Sequence, residues 1–176
     1  MFGLFRLRFS QVWTVEETCM GVSAVRVLPM GVEAFADASA AARYFLVDLS
    51  CGGTDAVEVP GRYWYRASGL CAPSGSLVIF QWRGDFVAQA TLDRSERLES
   101  PHRDADGALW HGFLQFVPES VAWFEPVVSP AEFGSVWPGR RVGNAKHRLD
   151  TAPLDLWLRL VDGRSSGRGC RSDGAG

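Results

Sequence analysis

Apolar and polar positions sort themselves most clearly between Gly75 and Leu92. Leu77, Val78, Ile79 and Phe80 form a continuous apolar run, an Arg83-Gly84-Asp85 connection follows, and Phe86, Val87, Ala88 and Ala90 resume it. Two β-rich runs joined by a short glycine-containing turn predict an antiparallel hairpin. An arm that is apolar almost throughout belongs in the middle of a sheet or the wall of a small barrel, since a solvated edge would alternate. Just upstream, Arg62-Tyr63-Trp64-Tyr65-Arg66 sets three aromatic residues between two arginines, and Tyr63 to Ala67 is expected to be a strand.

The remaining pattern is read around that hairpin. Glu33 to Tyr44, rich in alanine, predicts a short helix, and Arg43 to Leu49 a strand. Cys51 to Asp55 and Pro60-Gly61 read as turns. Asp93 to Asp106 is polar and charged, which predicts an exposed, mobile loop. Trp110 to Val117 alternates as a strand does, and Ser120 to Phe124 is a further candidate. Ser129-Pro130-Ala131-Glu132 has a cap residue, proline at the first helical position and glutamate three residues after the serine. That is a capping box, and it predicts a helix ending before Pro138-Gly139. A second helix follows Asp150 or Thr151, with Leu154, Trp157, Leu158 and Val161 at i, i+3, i+4 and i+7.

Three segments follow from this pattern: a poorly ordered extension over residues 1–24, one folded domain over 25–161, and a disordered Gly/Ser/Arg tail over 162–176. An upstream start-codon assignment would explain the extension, with Met30 as an alternative start. The extension has arginines inside its apolar part, so it makes a poor signal peptide. No apolar run reaches the roughly 20 residues needed to span a bilayer, so no membrane partner is expected.

Composition changes the picture in a few places. The chain has 176 residues, enough for one domain with a real core. Seven tryptophans and eleven phenylalanines are many for this size; some are expected in the core, but an aromatic surplus also suits a stacking pocket. The net charge of -2 argues against a general basic coat, so an anionic partner would meet a local patch. The near-absence of lysine follows equally from a GC-rich coding sequence and carries no functional weight. The four cysteines (Cys19, Cys51, Cys71, Cys170) contain no CxxC pair, so a structural zinc site is not expected. Reduced, mostly buried thiols in a cytoplasmic protein are the plain reading.

Several chemistries lack their residues. A restriction-type nuclease core needs a carboxylate two residues before a lysine; the only lysine is Lys146, and Asn144 stands there. His102, His111 and His147 are too dispersed for a His-Asn-His nuclease. GxxxxGK[ST] and GxSxG are absent. The chain is therefore expected to bind rather than react, with no cofactor and no catalytic residue.

Two features remain. Alternation on a strand points Tyr63 and Tyr65 one way and Trp64 the other. Either Trp64 is core and the tyrosines cover the surface, or two of these rings flank a slot that stacks a nucleobase. Trp82, at the hairpin tip, either caps the core or adds a wall to that slot. The second feature is a basic loop, Arg140, Arg141, Lys146, His147 and Arg148, with no acid among them. It is either an ordinary solvated loop or the place where phosphates dock. Arg83-Gly84-Asp85 is simply a turn that needs glycine.

With these residues in hand, the chain resembles the PUA-like superfamily, and within it the EVE-like and SRA-like modified-base readers of bacterial restriction systems. The likeness covers residues 43–161. It rests on RYWYR, GSLVIFQWRGDFVAQATL, GFLQFVPESVAWFEPV, VWPGR and DTAPLDLWLRLV in that order. The resemblance implies an α+β fold, a small, strongly bent, mostly antiparallel β-barrel with flanking short helices. It also implies a non-enzymatic domain that recognises nucleic acid, DNA sooner than RNA, holding a modified base in an aromatic cage. Carried onto this chain, the cage would be Tyr63, Trp64, Tyr65 and Trp82, with Gln81 or Asp85 bonding a base edge. Arg140, Arg141, Lys146, His147 and Arg148 would contact phosphates. Such readers commonly have a nuclease fused to them and this sequence shows none, so the resemblance implies a chain that acts alone, as a specificity subunit, or beside a separately encoded nuclease. The rival readings are a protein-interaction subunit and a small-molecule-binding barrel without nucleic-acid affinity.

Overall fold

The computed structural model describes residues 22–52, 59–66, 69–104, 106–140 and 148–166. Strand β1 is Val25–Pro29 and helix α1 is Ala38–Arg43, which runs on into a π-helical segment, Tyr44–Leu49. β2 (Arg62–Tyr65), β3 (Ser76–Trp82), β4 (Asp85–Arg103) and β5 (Leu109–Phe116) follow. After a 3-10 turn at Pro118–Ser120 come β6 (Ala122–Val128) and α2 (Pro130–Val136). The chain then gives β7 (Arg148–Leu149), α3 (Leu154–Asp162) and β8 (Ser165–Ser166), which continues the fold past residue 161.

The fold is α+β, built on one mixed eight-stranded sheet in the order β2-β5-β4-β3-β1-β7, with β6 joined to β4 and β8 to β6. It is not closed into a barrel: β2 and β7 end the path without pairing to each other. The sheet is nonetheless strongly curved. Two strands separate β2 from β3, and flat spacing of about 4.8 Å per strand would hold them about 14 Å apart. The rings of Tyr63 on β2 and Phe80 on β3 lie only 6.3 Å apart by centroid.

The predicted hairpin is β3–β4, turning at Arg83 (φ 52°) and Gly84 (φ 95°). Positive φ at both central residues is the turn whose twist matches the flanking strands. The apolar arm is central, as its composition required. β3 sends Val78, Phe80 and Trp82 to one face and Leu77 and Ile79 to the other, and all five are buried. The inner, concave face is filled from Phe45, Leu49, Phe80, Leu114, Phe116 and Trp123. On the opposite face α2 and α3 bury Phe133, Trp137 and Trp157 against β1, β3, β6 and Phe86. Phe86 and Phe133 stack at 3.9 Å, and Trp157 Nε1 donates to Gln89 Oε1 of β4 at 2.9 Å.

Both helix predictions near the C-terminus hold. Glu132 N–H donates to Ser129 Oγ, Ser129 N–H donates back to Glu132 Oε2 at 2.9 Å, and α2 ends at Val136. Leu154, Trp157, Leu158 and Val161 are all buried. Arg164 adds a 2.6 Å ion pair to Glu132, which ties the residues after α3 to the cap of α2.

Three expectations fail. Tyr44–Leu49 is π-helical, not a strand, because Ala41, Phe45 and Leu49 recur every fourth residue and turn one buried stripe onto the sheet. Asp93–Arg103 is not a loop but the second half of β4, paired with β5 from Leu92↔Phe116 to Arg103↔Leu109. Its residues are charged because they are mostly solvent-exposed. Cys51 is disulfide-bonded and Cys71 is free and exposed, so neither is the buried, reduced thiol expected, and the argument from thiols for a reducing compartment lapses. Among the described residues no helix is long and apolar enough to cross a membrane.

Candidate functional site

The expected base cage divides between the two faces of the sheet. Tyr65 is 9 % exposed and its hydroxyl donates to the Glu96 carbonyl at 2.9 Å. Gly112 stands opposite it, and a Cβ there would collide with the Tyr65 ring and the Glu96 carbonyl, so glycine makes room for the buried tyrosine. Tyr63 packs on the inner core, and burial raises its pKa above the ordinary phenol value. Trp82 is 5 % exposed; its Nε1 donates to the Val32 carbonyl, and Arg83 lies over its ring at 4.3 Å. Gln81 Nε2 donates to the Gly84 carbonyl and Asp85 opens β4 opposite Trp82, so both belong to the β3–β4 turn rather than to β2. Tyr65 and Trp82 are core, Tyr63 is half-buried against it, and the six residues do not form a common pocket.

Trp64 has the opposite fate. It faces out from β2, where α2 and α3 do not reach, and its cross-strand partner on β5 is Phe113. The two rings meet edge-to-face at 5.4 Å. Arg62, two residues earlier on the same face, lays its guanidinium over Phe113 at 4.2 Å and near Trp64 at 5.7 Å. His102 approaches Trp64 at 6.2 Å from β4. Arg66 covers Trp110 at 4.8 Å, and Trp110 Nε1 donates to Asp104 Oδ2. That bond, backbone N–H groups and the nearby Arg66 charge together lower the Asp104 pKa. Arg62 and Arg66 make no ion pair with any described residue, whereas Arg94 is held by Asp93 and Glu96.

Across the sheet this outer face is laid out in rows. Arg62, Gln115 and Arg94 are register partners on β2, β5 and β4; Trp64, Phe113 and Glu96 form the next row. A bulge between Leu92 and Arg94 opens a cleft of about 350 Å³ beside the first row. Val59, Phe116, Val117 and Pro118 are its apolar walls, and Asp93, Arg94 and Gln115 its polar end. Gln115 is 7 % exposed; its Nε2 donates to the Pro60 and Phe116 carbonyls, which leaves Oε1 without a donor.

Of the expected phosphate contacts, Arg140 and Arg148 come together in a second cleft of about 390 Å³, with Ser23, Asp150 and Thr151. Arg141, Lys146 and His147 lie outside the described residues. Sequence reasoning named Trp64 but missed Arg62, Arg66, Phe113 and Gln115. The signal for the first two was present, since alternation along RYWYR places both arginines on the tryptophan's side. Among the described residues there is no cluster of three or more His, Cys, Asp or Glu able to hold a metal. No family model, no curated protein and no solved structure matches the chain.

Proposed function

We propose that this chain is a non-catalytic nucleic-acid-binding module that meets its ligand on the outer face of β2, β5 and the second half of β4. The observation that carries the reading is Arg62. A guanidinium stacked on Phe113, beside an outward tryptophan and without a carboxylate partner among the described residues, is a cation already ordered for a phosphate or a base. Stacking on an aromatic ring contributes about 1–3 kcal/mol per base, so Trp64 replaces Tyr63, Tyr65 and Trp82 as the base-stacking residue. Arg66, whose charge also acts on Asp104, supplies a second cation on that face, and Arg140 and Arg148 supply phosphate contacts at the other cleft.

The PUA-like likeness, and with it a modified-base reader in a restriction or defence setting beside a separately encoded nuclease, belongs to this same proposal. In that setting Trp64 is the ring that would sense the modified base. The test is anisotropy binding of labelled DNA and RNA, plain and cytosine-modified, across a salt series. Arg62→Gln and Arg66→Gln should weaken binding and each flatten the log–log salt slope by roughly one phosphate's worth. No affinity at low salt for any of these ligands would reject the reading in favour of a protein- or metabolite-binding domain.

A further inference from the structure

We infer that the cleft beside Gln115 receives one unpaired nucleobase, so the ligand of the outer face is single-stranded. This inference rests on the nucleic-acid reading above and narrows it.

A nucleobase is flat, with apolar faces and polar edges. The cleft has that chemistry: Val59, Val117 and Pro118 form walls, and Asp93, Arg94 and Gln115 are gathered at one end. Val59 and Val117 are 44 % and 37 % exposed, an apolar rim left open to solvent. Gln115 has both amide hydrogens committed to backbone carbonyls, so its side chain is fixed with Oε1 lacking a donor. Arg62 Nε, in the same row, is the neighbouring buried polar atom without a partner. A buried, unsatisfied amide oxygen on a residue that lines a cleft is unusual in a folded protein, and a donor on an entering base edge is the partner it lacks.

Size and charge select the strand form. About 350 Å³ is at the small end of ligand clefts, room for about one base. Arg62 is the register partner of the cleft-lining Gln115 and Trp64 lies one row further along β2, so a strand with one base in the cleft can stack its neighbour on the tryptophan. Bases that stay paired present neither a free face for Trp64 nor a free edge for the cleft, and flipping one out of a duplex costs a few kcal/mol that a single strand is spared.

The experiment compares a labelled mixed-sequence single strand with its duplex at low salt, on the full chain. The wild-type protein should bind the single strand at least about tenfold more tightly, the worth of one stacked base. Val117→Trp fills the cleft and should remove about that factor from single-strand binding alone. Val59→Trp fills it from the other wall and gives the same readout where Val117→Trp does not fold. Leu156→Trp, on the exposed side of α3, should change neither affinity. Equal or tighter duplex binding, or an unchanged single-strand affinity in both filled variants, overturns the cleft assignment but leaves nucleic-acid binding standing. Absence of binding to either form overturns both.

Discussion

Tyr65 and Trp64 are consecutive residues on one strand, yet one is sealed in the core and the other looks outward between two arginines. The inner face of β2 and β5 closes around Tyr63, Tyr65, Leu114 and Phe116 because the sheet bends and α1 with the π-helical segment packs into the bend. Their outer face carries Arg62, Trp64, Phe113 and Gln115, and among the described residues no helix packs over it. The same aromatic residue types do different work on the two sides. Aromatic content on its own therefore says little about ligands; what covers the ring decides.

The largest expected effect separates the faces by stability. Tyr65→Ala should cost about 3–5 kcal/mol, as loss of a buried aromatic does, and urea denaturation measures it. Trp64→Ala should cost only about 1 kcal/mol, yet reduce single-strand affinity about tenfold in anisotropy titrations. A Trp64→Ala protein as unstable as Tyr65→Ala would erase the distinction. Tyr65→Phe sharpens it further. It removes the hydroxyl with its bond to the Glu96 carbonyl, at about 1 kcal/mol, and should leave binding unchanged.

The smallest effect concerns the half of the outer face that helices do cover. Arg164, with the Ser129 N–H and hydroxyl, holds the Glu132 carboxyl down from 4.5 to about 2. A carboxylate whose folded pKa is depressed contributes stability above its unfolded value and loses it as pH falls. The wild-type protein should therefore lose this contribution between pH 4.5 and about 2. Glu132→Gln should be less stable near neutral pH and show a shallower acid slope across that window, read by thermal melts in a pH series.

Much of the frame was legible. The β3–β4 hairpin, the capping box of α2 and the buried stripe of α3 follow from local rules, and each is present. The errors share a cause, which is that tertiary pairing overrides local character. Asp93–Arg103 looks like a loop because its side chains face water, but its backbone pairs with β5 on both sides of an irregularity between Arg97 and His102, and backbone pairing is indifferent to side-chain polarity. Tyr44–Leu49 has a strand's composition and a helix's spacing, and the spacing decided. The site was half legible: alternation gave Trp64 a side opposite the tyrosines, but only the sheet order reveals that α2 and α3 stop short of it. Gln115 and Phe113 carried no signal, since they become a site only through register with Arg62 and Trp64.

The most direct test of the account is paired binding of single-stranded nucleic acid to Trp64→Ala and to Tyr63→Phe/Tyr65→Phe, each checked for folding by melting. The outer-face account predicts a loss of about tenfold for Trp64→Ala and wild-type affinity for the tyrosine variant. Equal losses in the two, or a loss confined to the tyrosine variant, would return the ligand to the inner aromatics and contradict it.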